Sequence, residues 1–500
     1  MPEAVDRLRA ALQAREKIVV YGDYDADGLT GTALMVLYLQ KLGAEVVHFI
    51  PNRYREGYGL TEEALMGLAA EGARLVVSVD CGARSVREAL AARRLGLDLI
   101  ITDHHAPGPV LPEAVAVVNP KQPGDGYPFD ELSGAGLAYK VTQALAKALG
   151  GPDPESLLDL VAIGTIADLV PLRGENRDLA RAGLVRLRST DRPGLKALMS
   201  AAGISPVNLK ASSVGFGIGP RLNAAGRLDS AEAAYRLLTT ESTHEAAELA
   251  QTLERINRDR RQATSELVNL ARGMTEQGDS RTLIFAAHPD FLEGIAGLVA
   301  ARLAEERYRP AIIAHRGEAE TRGSARSIPG FHITHALDEC ADLLIRYGGH
   351  AAAAGFTLAT QHVGALEHRL QAIADRELLG ADLTPAIEID AVLGPEQLGW
   401  RLVEFGESLE PCGYGNEPPT FAARGLRVRS ARTVGADRKH LKLLLGAERG
   451  AGAWDAIGFG MGELAAGLSG NVDVAFHLER NTYGGYDSLQ FNLADVRAAG

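Results

Sequence analysis

The chain has 500 residues, 46% of them hydrophobic, which is more than one core normally serves and predicts two to four domains. No run of about eighteen apolar residues occurs, and Met1 to Gln13 is a charged amphipathic stretch without a signal peptide's apolar centre or cleavage site, so no membrane span is expected and a cytoplasmic protein is. Cys81, Cys340 and Cys412, odd in number and far apart, exclude a disulfide framework and a Cys-x-x-Cys metal site, while the net charge of −12 argues against a wholesale nucleic-acid coat.

The first strand predicted, Ile18 to Tyr21, has no polar face, as in a parallel sheet covered by helices on both sides. It empties into DYDADG, where Asp23, Asp25 and Asp27 stand at alternate positions before apolar residues resume at helical spacing from Leu29. Three carboxylates this close repel one another unless cations sit among them, and oxygen donors at that density favour hard ions such as Mg or Mn. A solvated acidic turn is the alternative. Further strands are predicted at Glu45 to Ile50, Leu75 to Asp80, Leu97 to Asp103 and Ala114 to Asn119, separated by helical patterns. That order implies a doubly wound sheet, whose ligands collect beyond the carboxyl ends of the strands. The polar residues lie there: the aspartate loop, Asp80, and Asp103-His104-His105. Asp80 alone would equally suit a turn or a helix N-cap, but three strand ends converging on one edge make coincidence a poor explanation.

The set DYDADG, Asp80 and DHH resembles the DHH phosphoesterase superfamily, and within it the RecJ family. SGAG at Ser133 to Gly136, IADLVPL from Ile166, GPRLNAAGR at Gly219 to Arg227 and GGHAAAAG at Gly348 to Gly355 follow the same pattern, the last resembling the DHHA1 signature. The resemblance covers nearly the whole chain. It implies Asp25, Asp27, Asp80, His104 and Asp168 as ligands of two divalent ions, Mn2+ or Mg2+, with Asp80 bridging them and Asp23 a weaker candidate. It places His105 nearer the scissile phosphate, as a hydrogen-bond donor or in positioning water. The residue types agree, because neutral imidazole beside carboxylates favours Mn over Ca, and paired ions can both activate water and stabilise a leaving oxygen. Asp168 falls in the otherwise apolar stretch Leu157 to Val170, where an unpaired carboxylate is costly; a helix-ending surface aspartate is the alternative.

Arg53, Arg55 and Tyr58, in PNRYREGYGL after the second strand, lie on the metal edge and are candidates for holding phosphates or stacking a base, unless the segment is a plain surface loop. Ser133 and Gly134 open a predicted helix, Leu137 to Leu149, whose amino end suits phosphate as well as simple N-capping by Ser133. After helical patterns from Gly150 to about Ser200, GPRLNAAGR reads as a loop of small residues and donors. Arg221, Asn223 and Arg227 there are placed for a nucleic-acid backbone, against a glycine-rich linker with incidental charge. Thr243 to Gln277 is a long helical pattern with Ala246, Leu249, Leu253 and Ile256 on one face, read as a connector between domains.

A second α/β unit is expected from the strand Thr282 to Ala287 and the helix Ile295 to Glu306, facing the first across a cleft. Arg326 and Ser327 in GSARSIPG, with Gly349 and His350, are its substrate-holding candidates, since glycines let backbone N–H groups approach a phosphate. PCGYGNEPPTF, Pro411 to Phe421, reads as a rigid linker, with Cys412 where the family usually has an aromatic residue. Short segments at Ala386 to Asp390, Leu426 to Ser430, Leu441 to Leu445, Ala456 to Phe459 and Val472 to Leu478 suggest an OB-like barrel, with Lys439, His440, Lys442 and Tyr483 as strand-binding candidates or ordinary surface residues.

The expected fold is α/β: a parallel-sheet DHH catalytic domain over 1–200, a helical connector over 201–278, a smaller DHHA1 domain over 279–382 and an OB-like nucleic-acid-binding barrel over 383–500. The resemblance implies a single-strand-specific DNA exonuclease acting 5′ to 3′ by two-metal-ion hydrolysis and releasing mononucleotides, in DNA repair and recombination. It also implies a monomer partnered by single-stranded DNA, a single-strand-binding protein and a repair helicase, with no membrane. A DHH phosphatase acting on pyrophosphate, cyclic dinucleotides or short oligonucleotides is the alternative, opposed by the barrel and by Arg221 to Arg227. A non-catalytic DNA-binding member is opposed by six positions that keep ligand-type residues. Family members commonly carry more chain at both ends, so a trimmed chain is expected, with partner contacts in the missing parts.

Overall fold

A computed structural model describes residues 1–52, 57–228, 230–275, 282–435, 437–447, 452–481 and 487–499; Arg53, Arg55 and Tyr483 lie outside them. The first domain runs α1 (Pro2–Ala14), β1 (Ile18–Tyr21), α2 (Ala26–Lys41), β2 (Val46–Phe49), α3 (Glu62–Ala70), β3 (Leu75–Val79), α4 (Val86–Arg94), β4 (Asp98–Thr102), β5 (Ala116–Val118), α5 (Gly134–Leu149) and α6 (Leu158–Ala167). All five predicted strands form, in one parallel sheet of order β2-β1-β3-β4-β5. Ile18 and Val20 pack into the core shared with α1, α2 and α5, while Val19 and Tyr21 pack on the opposite side with Leu65, Leu68 and Ala92 of α3 and α4. A strand buried on both faces has no place for a polar side chain, so its polar residues appear only where it ends.

Helices α7 (Gly174–Arg188), α8 (Pro193–Ala201), α9 (Ala211–Ser213), α10 (Gly219–Leu228) and α11 (Glu232–Thr239) lead into α12 (Thr243–Thr275), the expected long connector. GPRLNAAGR is therefore a helix and not the loop its composition suggested. Val214–Ile218 forms a π turn immediately before α10, and Pro220 follows it where the bonding pattern changes and a missing N–H is tolerated. Gly226 is small for packing: a Cβ there would lie 2.6 Å from the Tyr24 carbonyl oxygen.

The second α/β domain contains β6 (Ile284–His288), α13 (Glu293–Arg307), β7 (Ala311–Arg316), β8 (Glu320–Arg326), α14 (Ile333–Asp338), β9 (Leu344–Gly349), β10 (Ala353–Ala359) and α15 (Val363–Leu378). Its sheet order is β6-β7-β8-β10-β9, with only β6 and β7 parallel. After β11 (Ala391–Val392) and α16 (Trp400–Ser408) come β12 (Phe421–Val434), β13 (His440–Gly446), β14 (Ala453–Gly458), β15 (Asn471–Asn481) and β16 (Ser488–Ala498). Pairing of β12 with β15 closes these five into a barrel. The strand expected at Ala386 to Asp390 does not form; only Ala391 and Val392 pair, with Phe421 and Ala422. The fifth barrel strand is β16 instead. The linker docks on the first domain, where Leu172 donates its N–H to the Tyr414 carbonyl at 2.7 Å and Arg177 donates to the Leu409 carbonyl at 2.7 Å and to Asn416 Oδ1 at 3.2 Å. Among the described residues no helix is long and apolar enough to cross a membrane, and all three cysteines are free thiols.

Candidate metal centre and substrate cleft

Asp25 caps α2, accepting the N–H groups of Asp27 at 3.0 Å and Gly28 at 3.1 Å. Asp27, one residue into α2, is held by the amino end of α5, accepting the N–H groups of Gly134 at 2.6 Å and Ala135 at 2.9 Å. β3 ends in Asp80, whose φ of 64° lies in the left-handed region that side chains adopt only at a cost. β4 delivers Asp103, His104 and His105. Asp168 caps the carboxyl end of α6, where the helix dipole disfavours a negative charge. Five separate chain segments thus meet at one sheet edge.

His104 Nε2 lies 3.1 Å from Asp80 Oδ1, 3.4 Å from Asp168 Oδ2 and 3.9 Å from Asp27 Oδ2. Oxygens of Asp23, Asp25 and Asp80 lie within 4.8 Å of one another, as do donor atoms of Asp80, His104 and His105 and of Asp27, His104 and Asp168. Burial pushes Asp80 and Asp168 well above the usual carboxyl range and Asp27 up to about 7, with the neighbouring carboxylates adding to it. The same burial pushes His104 down to about 3. Asp80 Oδ1 and the ring nitrogens of His104 are buried without a hydrogen-bond partner. Electron-pair donors that resist carrying charge, left unsatisfied around one space, are what a divalent cation would stabilise, and its charge would reverse these shifts. The donor set fits Mn or Mg.

His105 belongs to a different arrangement. Its Nδ1 lies 2.7 Å from Asp103 Oδ1, and Asp103 also accepts the N–H of His105 at 3.1 Å and of Ala83 at 2.7 Å. Burial alone would lower the His105 pKa, but the hydrogen bond and charge of Asp103 outweigh it and the pKa is raised. Asp103 is held below its usual range in return, despite its own burial. Asn119 Nδ2 donates to the His105 carbonyl at 2.8 Å, fixing the backbone. The Tyr58 hydroxyl lies 3.4 Å from both His105 Nδ1 and the Asp80 carbonyl.

This face opens into a cleft of about 660 Å³ lined by Tyr58, Arg84, Asp103 and His105 on one side and by Gly349 and His350 of the β9–β10 turn on the other. The turn is anchored by Ser327 N–H to the Ala352 carbonyl and by Thr334 Oγ1 to the His350 carbonyl, each at 2.8 Å. At Gly349, φ is 154° and a Cβ would lie 2.3 Å from the Ala353 carbonyl oxygen, so only glycine fits. Arg326, at the end of β8, packs its guanidinium against Gly297 of α13.

Three candidates have other partners than expected, and Ser133 makes the N-cap that was one of its two expected roles. Ser133 is buried, its Oγ accepting the Gly136 N–H and bonding Thr165 Oγ1, each at 3.1 Å, and the α5 amino end beside it holds Asp27 in place of a phosphate. Arg221 donates to Glu254 at 2.5 Å and to the Gly217 carbonyl at 2.7 Å. Asn223 Oδ1 accepts the Ala26 N–H at 2.6 Å and so braces the aspartate loop, and Arg227 donates to the Gly294 carbonyl at 3.3 Å. Conversely, Asp103, Asn119 and Arg84 had no role assigned from sequence. The signal for Asp103 was an aspartate two residues before a histidine at a strand end, a spacing at which the carboxylate can turn back on the backbone.

Comparison with known proteins places the chain as a whole. Family models match for the DHH family, N-terminal domain, over residues 17–165, the DHHA1 domain over 280–376 and the RecJ OB domain over 389–495. The single-stranded-DNA-specific exonuclease RecJ of Bacillus subtilis is 44% identical, over 99% of this chain and 63% of its own length. The chain thus spans less than two thirds of that relative. The Escherichia coli protein of the same name is 34% identical, over 99% of this chain and 89% of its own. The crystal structure of RecJ in complex with Mn2+ from Thermus thermophilus superposes with a TM-score of 0.84 at 34% identity, covering 100% of this chain and 71% of that one. Its complex with Mg2+ gives 0.79 at 33%, covering 100% and 70%. Three domain matches in sequence order, relatives aligned along nearly the whole chain and a shared three-domain structure lead to one conclusion: the chain belongs to the RecJ family.

Proposed function

We propose that the chain is a Mn2+- or Mg2+-dependent exonuclease specific for single-stranded DNA, acting 5′ to 3′ and releasing mononucleotides in DNA repair and recombination. The observation that carries the reading is the meeting of Asp23, Asp25, Asp27, Asp80, His104 and Asp168 at one sheet edge, beside His105, which lines a cleft whose far wall belongs to another domain. Direction and product rest on the family likeness. The bound ions would supply Lewis acidity and lower the pKa of water. Asp80, reached from two of the three donor groups, is suited to bridge two positions, and its buried carboxylate needs no covalent chemistry of its own. His105, steadied by Asp103, is placed to donate a proton or hydrogen bond to a phosphate oxygen. Tyr58 offers a flat face, and Gly349 and His350 face it from the opposite wall; Arg326, Ser327, Arg53 and Arg55 belong to the same proposal as substrate-holding residues.

The division at 200, 278 and 382 is part of this reading, supported by the spacing of the three family matches. So are a monomer in the cytoplasm and contacts with a single-strand-binding protein and a repair helicase; three free thiols support a reducing compartment. A cleft walled by single side chains from two domains accepts a strand by its end and excludes a B-form duplex, about 20 Å across. Linear single strands should be degraded in Mn2+ and not in EDTA, while closed single-stranded circles of the same sequence and blunt duplexes survive. Circles lost as fast as linear strands on one gel would overturn end-threading.

A further inference from the structure

Helix α10 (Gly219–Leu228) touches both α/β domains within 10 residues. Toward the first domain, Leu222 and Ala225 are buried in the core shared with α2, α5 and α6. Ala26, between Asp25 and Asp27, opens α2, so its N–H has no partner inside that helix; Asn223 Oδ1 accepts it at 2.6 Å. Two glycines let α10 approach further ligand segments. A Cβ on Gly226 would lie 2.6 Å from the Tyr24 carbonyl oxygen, and one on Gly219 would lie 3.1 Å from Cβ of Ala167, the neighbour of Asp168. Toward the second domain, Leu228 packs against the apolar core of α12 and α13, and Arg227 donates to the Gly294 carbonyl at 3.3 Å. Gly294 lies in the first turn of α13. Three residues on, and so on the same face, Gly297 seats Arg326, whose Nη2 would lie 2.9 Å from a Cβ there. One short helix thus joins the metal-binding segments to the helix that seats a substrate-holding candidate.

We propose that α10 couples occupancy of the metal centre to the seating of the second domain, with Asn223 and Arg227 as its positioning residues. The coupling rests on the metal-centre part of the function proposed above. With ions bound, Asp25, Asp27 and Asp168 hold still the segments against which α10 packs; α10 then presents Arg227 to the amino end of α13, and α13 carries the seat of Arg326. The π turn Val214–Ile218 ahead of α10 is the joint at which the helix adjusts. Coupling of this kind is reciprocal: a contact that holds α13 in place must raise the affinity for the ions, although it touches no ligand.

The test titrates Mn2+ calorimetrically into wild type, Asn223→Ala, Arg227→Ala and the double variant with no strand present, each first shown to melt cooperatively in EDTA. Asn223→Ala should weaken Mn2+ binding roughly 10–100-fold, as loss of a group that orients a ligand does. Arg227→Ala, which removes a contact to the other domain, should weaken it about fivefold, and Arg227→Lys, which keeps a donor, should restore most of that. In the double variant the loss should be smaller than the product of the two, because both act through one helix. Amide exchange reads the reverse direction: saturating Mn2+ should slow exchange over residues 293–299 about fivefold in wild type and leave it unchanged in Arg227→Ala. Arg227→Met, which keeps the apolar stem, takes the place of Arg227→Ala if that variant does not melt cooperatively. Mn2+ affinity in the Arg227 variant equal to wild type, as expected of a side chain that only holds phosphate, overturns the coupling, and so does equal protection of α13 in both proteins. Failure of wild type to bind Mn2+ would overturn the metal reading and the coupling together, whereas bound Mn2+ with α13 unaffected overturns the coupling alone.

Discussion

Gly134→Ala tests whether the metal centre depends on a close approach that no ligand supplies. A Cβ on Gly134 would lie 2.7 Å from Asp80 Cβ and 2.9 Å from Asp80 Oδ1, where ordinary carbon contacts are roughly 3.5–4.0 Å. Neither side can retreat freely. The Gly134 N–H holds Asp27 at 2.6 Å, and Asp80, in its left-handed conformation, is tied by its N–H to the Thr102 carbonyl at 2.9 Å. Asp80 must therefore move by about 0.8 Å to regain contact distance. A misplacement of about 1 Å in a catalytic arrangement costs on the order of 100-fold in rate. Overpacking at a buried site costs about 1–3 kcal/mol in stability, a small part of the total for three domains. Turnover of an end-labelled strand in Mn2+, the Mn2+ affinity and the thermal melt should be measured together. The expected result is turnover down about 100-fold and weakened Mn2+ binding, with a cooperative melt retained. Turnover within about twofold of wild type would show that Asp80 is not positioned by this contact and would refute the reasoning.

The two histidines should separate. His104→Ala should lose bound Mn2+, whereas His105→Ala should keep it and lose roughly 10²–10⁴-fold in turnover, measured by calorimetric titration beside kinetics. Equal metal loss in both would mean the pair is wrongly divided. Asp103→Ala should keep the metal and lower turnover about 10–100-fold by freeing the His105 ring; an unchanged rate would remove Asp103 from the account. The metal should also make stability depend on pH. Asp27, held up to about 7 by burial in the metal-free fold, favours the folded state below its ordinary value of 3.8, and that contribution is lost as pH rises through about 7. Metal-free protein should thus become less stable between those limits, and saturating Mn2+ should raise the melting temperature more at pH 8 than at pH 6. The same increment at both would contradict proton–metal competition at this carboxylate.

What could be read from the sequence follows from how each part is buried. The five strands of the first sheet were legible because burial on both faces leaves only apolar residues inside them and polar ones at their ends, and that contrast also exposed Asp23 to Asp27, Asp80 and the DHH run. GPRLNAAGR misled because glycine, proline and asparagine signal turns locally, whereas Gly226 is fixed by its approach to the Tyr24 carbonyl and Asn223 by the Ala26 N–H, partners about 200 residues away. Strand β16 was hidden because Leu489, Phe491 and Leu493 alternate but Val496 does not continue the period: the ladder shifts register opposite Ala475 and Phe476. Ala386 to Asp390 showed alternation without a partner strand. Ser133 showed its cap but not that Asp27 would take up the helix end beside it.

The central claim is that this carboxylate and imidazole cluster hydrolyses the phosphodiester backbone of a single strand, and Asp80→Asn tests it most directly. Asparagine keeps the size of the side chain and tolerates the left-handed conformation, so the fold should survive, while the negative charge proposed to bridge the ions is lost. Wild type and variant should be mixed with the same end-labelled linear strand at saturating Mn2+ and their melting temperatures compared in EDTA. The account predicts reduction to mononucleotides by wild type, loss of more than about 10³-fold in rate by the variant, and a variant melting temperature at or above that of wild type, because carboxylate repulsion has been relieved. Near-normal hydrolysis by a folded Asp80→Asn protein would contradict it.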